Sequence, residues 1–159
     1  MSVSHYRHCV GNSSYHLQFT PKYRRAVFRN RKVRKLCEAL FRKKAYDLGV
    51  KIEALEFGPD HVHIFVTNCR KYSETYLVQM FKGYSSRYLR QHAADELKPY
   101  LWGKAFWTPG HFFESIGRVT EDTVKFYIER QQAKHWMPAE YEPNGRGRSS
   151  QRSLADFGV

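Results

Sequence analysis

His61 and His63 stand two positions apart in "GPDHVHIFVT", residues 58–67, a stretch with the alternation of a strand. Period two puts Val62, Ile64 and Val66 on one face and His61, His63 and Phe65 on the other. The two imidazoles are then roughly 6.6 Å apart along the backbone, two strand rises, and can lean onto one cation. Neutral imidazole is a common ligand of divalent metals, and two ring nitrogens leave positions for oxygen ligands, water and substrate. Two unrelated polar residues on a half-exposed strand would give the same bare His-x-His. Against that, the apolar residues of "VHIFV" specify the strand strongly, and the turn Gly58-Pro59-Asp60 places the pair near its start.

A metal site needs a third protein ligand, and the last helix offers polar candidates. Tyr127 and Gln131 are four apart on one helical face, on the same stripe as Val124 and Ile128. A stripe that faces the protein yet carries a phenol and an amide has two readings. One is a site; the other is a buried tyrosine with a satisfied hydroxyl and Gln131 at the rim.

These residues need a frame. "SSYHLQFT" (13–20) alternates Tyr15, Leu17 and Phe19 against His16 and Gln18, a first strand that Pro21 ends. Asn30 can cap a helix from Arg31, with Val33, Leu36, Cys37, Leu40, Phe41 and Leu48 at helical spacing and Gly49 as its stop. "VKIEALEF" (50–57) predicts a second strand whose alternation breaks near Ala54 and Leu55, and the short turn predicts an antiparallel hairpin into the histidine strand. Ser73 can cap a helix over 73–97 whose shared face is Leu77, Met80, Phe81, Tyr84 and Tyr88. After an aromatic loop, 111–117 predicts a fourth strand, and Thr120 caps the tyrosine helix with Glu121 and Asp122 in its first turn. The order is that of an α+β fold with an antiparallel sheet of ferredoxin-like, RRM-like split β-α-β topology. The chain divides into one domain over 1–137 and a flexible tail over 138–159, rich in Pro, Gly, Ser and Arg.

The 159 residues suffice for one domain with a core. Lys and Arg number 27 against 15 Asp and Glu, a net charge of +12 that points to a polyanion, most commonly nucleic acid. "TPKYRRAVFRNRKVRKLC" (20–37) gathers Lys22, Arg24, Arg25, Arg29, Arg31, Lys32, Arg34 and Lys35 with no acid among them. Tyr23 and Phe28 lie between as possible stacking surfaces. On the second long helix Lys82 and Arg87 are further candidates for phosphate contact. Trp102, Phe106 and Trp107 are either base platforms or core. Cys9, Cys37 and Cys69 are far apart, with no CxxC, so a cysteine zinc site is not expected. No run of 18 apolar residues and no secretory h-region occurs; the expected setting is cytoplasmic, near the nucleoid, with no membrane partner.

Three segments together carry a resemblance: "TPKYRRAVF", "FGPDHVHIFV" and "GRVTEDTVKFYIERQ". The joint pattern resembles the single-tyrosine, His-hydrophobic-His (HUH) transposases of the smallest bacterial and archaeal insertion sequences, and covers most of residues 14–136. The resemblance implies a divalent metal, Mg²⁺ or Mn²⁺, bound by His61, His63 and Gln131, with Tyr127 as nucleophile. It implies a homodimer acting on single-stranded DNA with hairpins at element ends. The first 13 residues and the tail carry no signal of their own. Two other readings share these features: a domesticated enzyme that processes palindromes, and a non-enzymatic RNA-binding module on a similar sheet, which would expose aromatics on its central strands.

Overall fold

The computed structural model describes residues 4–117 together with Asp122. The helix predicted from Thr120, with Tyr127 and Gln131, and the tail from residue 138 lie outside the described residues. The strands are β1 (Ser4–Tyr6), β2 (Cys9–Gly11), β3 (Ser14–Phe19), β4 (Lys51–Gly58), β5 (His61–Thr67) and β6 (Phe112–Ile116). The helices are α1 (Arg31–Leu48), α2 (Glu74–His92) and the single turn α3 (Ala94–Leu97).

β3 to β6 form one antiparallel sheet in the order β4-β5-β3-β6. With α1 between β3 and β4 and α2 between β5 and β6, this is the split β-α-β arrangement that the element order predicts. β1 and β2 add a small separate hairpin in a segment whose sequence carries no such signal.

Local chemistry explains where the elements begin and end. The Asn30 side chain accepts from the Lys32 and Val33 backbone N–H groups at 3.0 and 3.1 Å, satisfying donors at the start of α1. Gly49 closes α1 in the left-handed region, φ 73°, where a Cβ would be strained. Ser73 caps α2 through the Tyr76 N–H at 3.1 Å. The break in alternation near Ala54 is a bulge: Ile52 pairs with Val66 and Ala54 with Phe65, leaving Glu53 as the extra residue.

The core lies between the sheet and the two long helices. Leu17, Phe19, Val62, Ile64 and Val66 from the sheet meet Val33, Cys37, Phe41, Leu77, Phe81 and Leu89. Trp107 joins them, stacked on Phe41 at 6.0 Å between ring centroids.

Three expectations need correction. The buried stripe of α2 is Leu77, Val78, Phe81, Ser85 and Leu89, with Tyr84 and Tyr88 at its edge. Ser85 belongs inside because it receives the Trp107 indole N–H at 2.9 Å and donates to the Phe81 carbonyl at 2.7 Å. A hydropathy pattern counts serine as polar and so turns the face. The single helix over 73–97 divides at Ala93 (φ −127°, ψ 29°), and the following turn buries Leu97. Phe28, set among the cations, is core: it is buried edge-on to Phe57 at 4.9 Å.

Candidate active site

β5 is buried on both faces, from His61 through Val66. The alternation therefore does not separate a wet face from a dry one. Register brings a second set of polar residues to the histidine face. In the β3–β5 ladder Gln18 pairs with His63 and His16 with Phe65. Cross-strand partners share a face, so His16 and Gln18 join His61 and His63. All four, with Asp60, are at most 5% exposed. Buried polar groups are costly unless they satisfy one another, which makes this cluster a feature that packing alone would not select.

Its contacts are ordered. His16 Nε2 and His63 Nδ1 are hydrogen-bonded at 2.8 Å, with the rings stacked at 4.9 Å and 24°. His61 Nδ1 is bonded to Asp60 Oδ1 at 2.7 Å. Asp60 Oδ2 lies 3.8 Å from Arg24 Nε, and His16 Nδ1 lies 4.0 Å from Glu114 Oε2. Burial lowers the His16 pKa to about 4, so this ring is neutral at physiological pH.

The donor set fits a divalent metal. Both site histidines use Nδ1 for a bond inside the protein, so a metal held here would be met by Nε2. A carboxylate behind one ring and an imidazole behind the other are the outer partners that orient metal-binding histidines. If His63 Nδ1–H is the donor to His16 Nε2, as ligation through His63 Nε2 would require, the proton of His16 is on Nδ1, 4.0 Å from Glu114 Oε2. Two imidazoles on one ion have centroids roughly 5–6 Å apart; those of His61 and His63 are 5.7 Å apart and perpendicular. Among the described residues no group of three or more His, Cys, Asp or Glu is arranged around a metal position. Any further ligand would be an amide, water, substrate or a residue outside this set.

A family profile described as "Transposase IS200 like" matches residues 9–131. The chain belongs to this family. The transposase for insertion sequence element IS200 of Salmonella typhimurium is 31% identical over 125 residues, covering 77% of this chain and 81% of that protein. The ISDra2 transposase TnpA of Deinococcus radiodurans is 31% identical over 120 residues, covering 76% and 84%. A crystal structure of a candidate transposase from Deinococcus radiodurans R1 superposes with a TM-score of 0.64 at 27% identity, covering 80% of this chain and 97% of that one. A REP-associated tyrosine transposase bound to a REP hairpin shares the fold, with a TM-score of 0.52 at 17% identity over 94% and 96% of the two chains.

Membership makes this IS200-like chain a transposase, an enzyme class that cleaves and transfers DNA strands. Of the residues expected to act, the structure brings His61 and His63 together; Tyr127 and Gln131 lie outside the described residues. Among the described residues no helix is long and apolar enough to cross a membrane.

The basic residues of the transposase take several positions. Arg25, Arg29, Arg31, Lys32 and Lys35 are exposed, and Arg34 is half-buried. Lys32 is bridged to Glu96 at 2.5 Å. Arg31, Lys32 and Lys35 border an open groove between α1 and α2, with Tyr88 and His92 on its far wall. Arg87 is exposed, 5.9 Å from the Tyr88 ring. Lys82 turns inward: its ammonium donates to the carbonyls of Thr108 and Gly110 at 2.6 and 3.0 Å, and burial lowers its pKa to about 8. Arg24 reaches the carboxylate behind His61 rather than pointing outward alone.

Sequence reasoning alone misses His16, Asp60 and Glu114 as site residues. The alternation of the first strand sets His16 and Gln18 opposite Leu17 and Phe19, which is the signal that points to them. Asp60 reads in the sequence as turn chemistry only.

The His16 shift has a measurable consequence for the metal-free transposase. Above pH 6.5 His16 is neutral folded and unfolded and contributes nothing. Between pH 6.5 and about 4 the unfolded chain takes up a proton that the folded protein refuses, so stability falls as pH falls. The expected loss is about 3 kcal/mol. Urea denaturation at pH 7, 5.5 and 4 measures it, and His16→Gln should remove that part of the pH dependence. An unchanged pH profile in the variant would place the titration elsewhere.

Proposed function

We propose that this transposase cuts and rejoins single-stranded DNA at insertion-sequence ends through a 5′-phosphotyrosine on Tyr127, with His61, His63 and Gln131 holding Mg²⁺ or Mn²⁺. The observation that carries this reading is the pair of buried imidazoles whose Nδ1 atoms are both engaged, which leaves ligation of one ion to the two Nε2 atoms. The arrangement supports metal binding; the role of Tyr127 rests on family membership and on its position in the matched segment.

A phosphodiester resists attack because its charged oxygens repel nucleophiles. A bound divalent ion would supply charge neutralisation at the scissile phosphate. In the proposed step the Tyr127 oxygen bonds to phosphorus, the bond from phosphorus to the 3′ oxygen breaks, and the phenolic proton is lost as the 3′ oxygen gains one. Because one phosphate ester replaces another, a second 3′-hydroxyl can reverse the exchange and join strands without ATP. Asp60 and His16 hold the two imidazoles in the tautomer that offers Nε2.

The proposed substrate carries a hairpin, like the REP hairpin bound by the REP-associated neighbour, and the proposed working unit is a homodimer. A domesticated palindrome-processing role would use the same chemistry on different DNA. The RNA-binding reading is disfavoured because Phe65, the aromatic on the histidine face of the central strand, is 3% exposed and offers no open base platform.

Incubation with labelled single-stranded hairpin DNA and Mn²⁺, followed by peptide mapping, tests the proposal. The expected label appears on the peptide containing Tyr127 and only with metal. Label on another residue, or label without metal, would overturn it.

A further inference from the structure

We propose that Tyr23 and Trp102 form a stacking site for one unpaired base of the single-stranded DNA, on the flank of the histidine site. This rests on the single-strand chemistry proposed above.

The two rings lie nearly parallel, 5.1 Å between centroids and 12° between planes. Both stay in water, Tyr23 57% and Trp102 68% exposed, whereas their neighbours Phe106 and Trp107 are buried. Two large rings paired in solvent present the flat apolar surface that an unpaired base requires. Each ring also has a cation over it: Arg25 lies 5.0 Å from the Trp102 ring centroid, and Lys22 5.5 Å from that of Tyr23. A base that extends the stack would take the place of one of these flexible side chains on the ring, and the displaced cation would remain close enough to meet the flanking phosphates.

The backbone holds Tyr23 in position. Tyr23 and Arg24 have φ of 58° and 52°, consecutive left-handed residues of which neither is glycine. Such conformations persist only where surrounding structure enforces them. Here Lys22 N–H donates to the Phe106 carbonyl at 2.7 Å, Thr108 N–H donates to the Thr20 carbonyl at 2.9 Å, and Pro21 bridges to Trp107. The loop that carries Tyr23 and the loop that carries Trp102 are thus tied together before any ligand arrives, which lowers the ordering cost of binding.

The location follows from the same strained pair. Tyr23 turns to Trp102, while Arg24, the next residue, lies 3.8 Å from the Asp60 carboxylate that holds His61. A strand whose base rests on Trp102 therefore runs beside the metal-binding pair. DNA is favoured over RNA because the chain is a transposase.

The test uses a labelled single-stranded oligonucleotide from the end of the element that encodes the protein, with its hairpin and unpaired flank. Bases of the flank are removed one at a time. At one flank position, loss of the base should weaken wild-type binding about 10-fold. Trp102→Ala should weaken binding of the intact strand by the same factor, with no further loss at that position, and Trp102→Phe should restore most of it. Unchanged affinity in Trp102→Ala, or losses that add at every position, would overturn the stacking site. Tighter binding of the RNA version with the same Trp102 dependence would reassign it. Metal-dependent adduct formation by the wild type on the same oligonucleotide is scored in parallel. Its absence would sink the proposed chemistry, whereas an adduct with Trp102-independent binding would sink only the stacking site.

Discussion

Tyr127→Phe is expected to abolish the covalent protein–DNA adduct, a loss of at least about 10³-fold, because phenylalanine has the same ring without the attacking oxygen. On the proposed mechanism nothing else should move much. The two imidazoles and their partners Asp60 and His16 are supplied by β3, β5 and the turn before β5, so Mn²⁺ binding should persist. Hairpin binding should persist as well, since it draws on cations such as Arg25 and Arg29 that are exposed on a different segment. Denaturing electrophoresis of labelled single-stranded DNA after incubation with Mn²⁺ reads the adduct, and anisotropy reads the binding. An adduct that survives in the variant means another nucleophile.

His63→Ala should lose the adduct too, but together with metal binding, and that contrast is what separates the roles. The substitution removes a proposed ligand, and with it both the adduct and Mn²⁺ binding, the latter by more than the roughly 10- to 100-fold that follows from losing an outer partner of a ligand. It also leaves His16 Nε2 without the 2.8 Å bond it makes to His63 in a buried site. Stability should therefore drop by about 1–3 kcal/mol, before any contribution from the cavity. Calorimetric titration with Mn²⁺ measures the first effect and urea denaturation without metal the second. Circular dichroism confirms that the variant is folded in the titration. A variant that keeps its metal affinity would remove His63 from the ligand set. Anisotropy should find the affinity for the single strand nearly unchanged, because the exposed basic residues are untouched.

Features that depend on neighbours along the chain are legible in the residue order. The caps Asn30 and Ser73, the left-handed stop at Gly49, the Pro59-Asp60 hairpin and the bulge near Ala54 all sit where their residue types require. Each is set by a few consecutive dihedrals and by side chains within reach of their own backbone. The histidine pair is legible for the same reason, since period two is a property of one strand. The three segments that resemble a family are legible as a joint pattern and agree with the profile match over residues 9–131.

What those histidines touch is a matter of long-range packing. His16 and His63 are 47 positions apart, and their bond exists because β3 lies beside β5 in one particular register. A slip of one residue would send His16 to the opposite face, and no local preference forbids it. Packing also chose which aromatics are core and which are surface: Phe28 and Trp107 went inside, Trp102 stayed out against Tyr23, and Ser85 entered the α2 stripe to receive an indole proton. These choices are made where elements distant in sequence compete for the same space, and residue type alone does not encode the outcome.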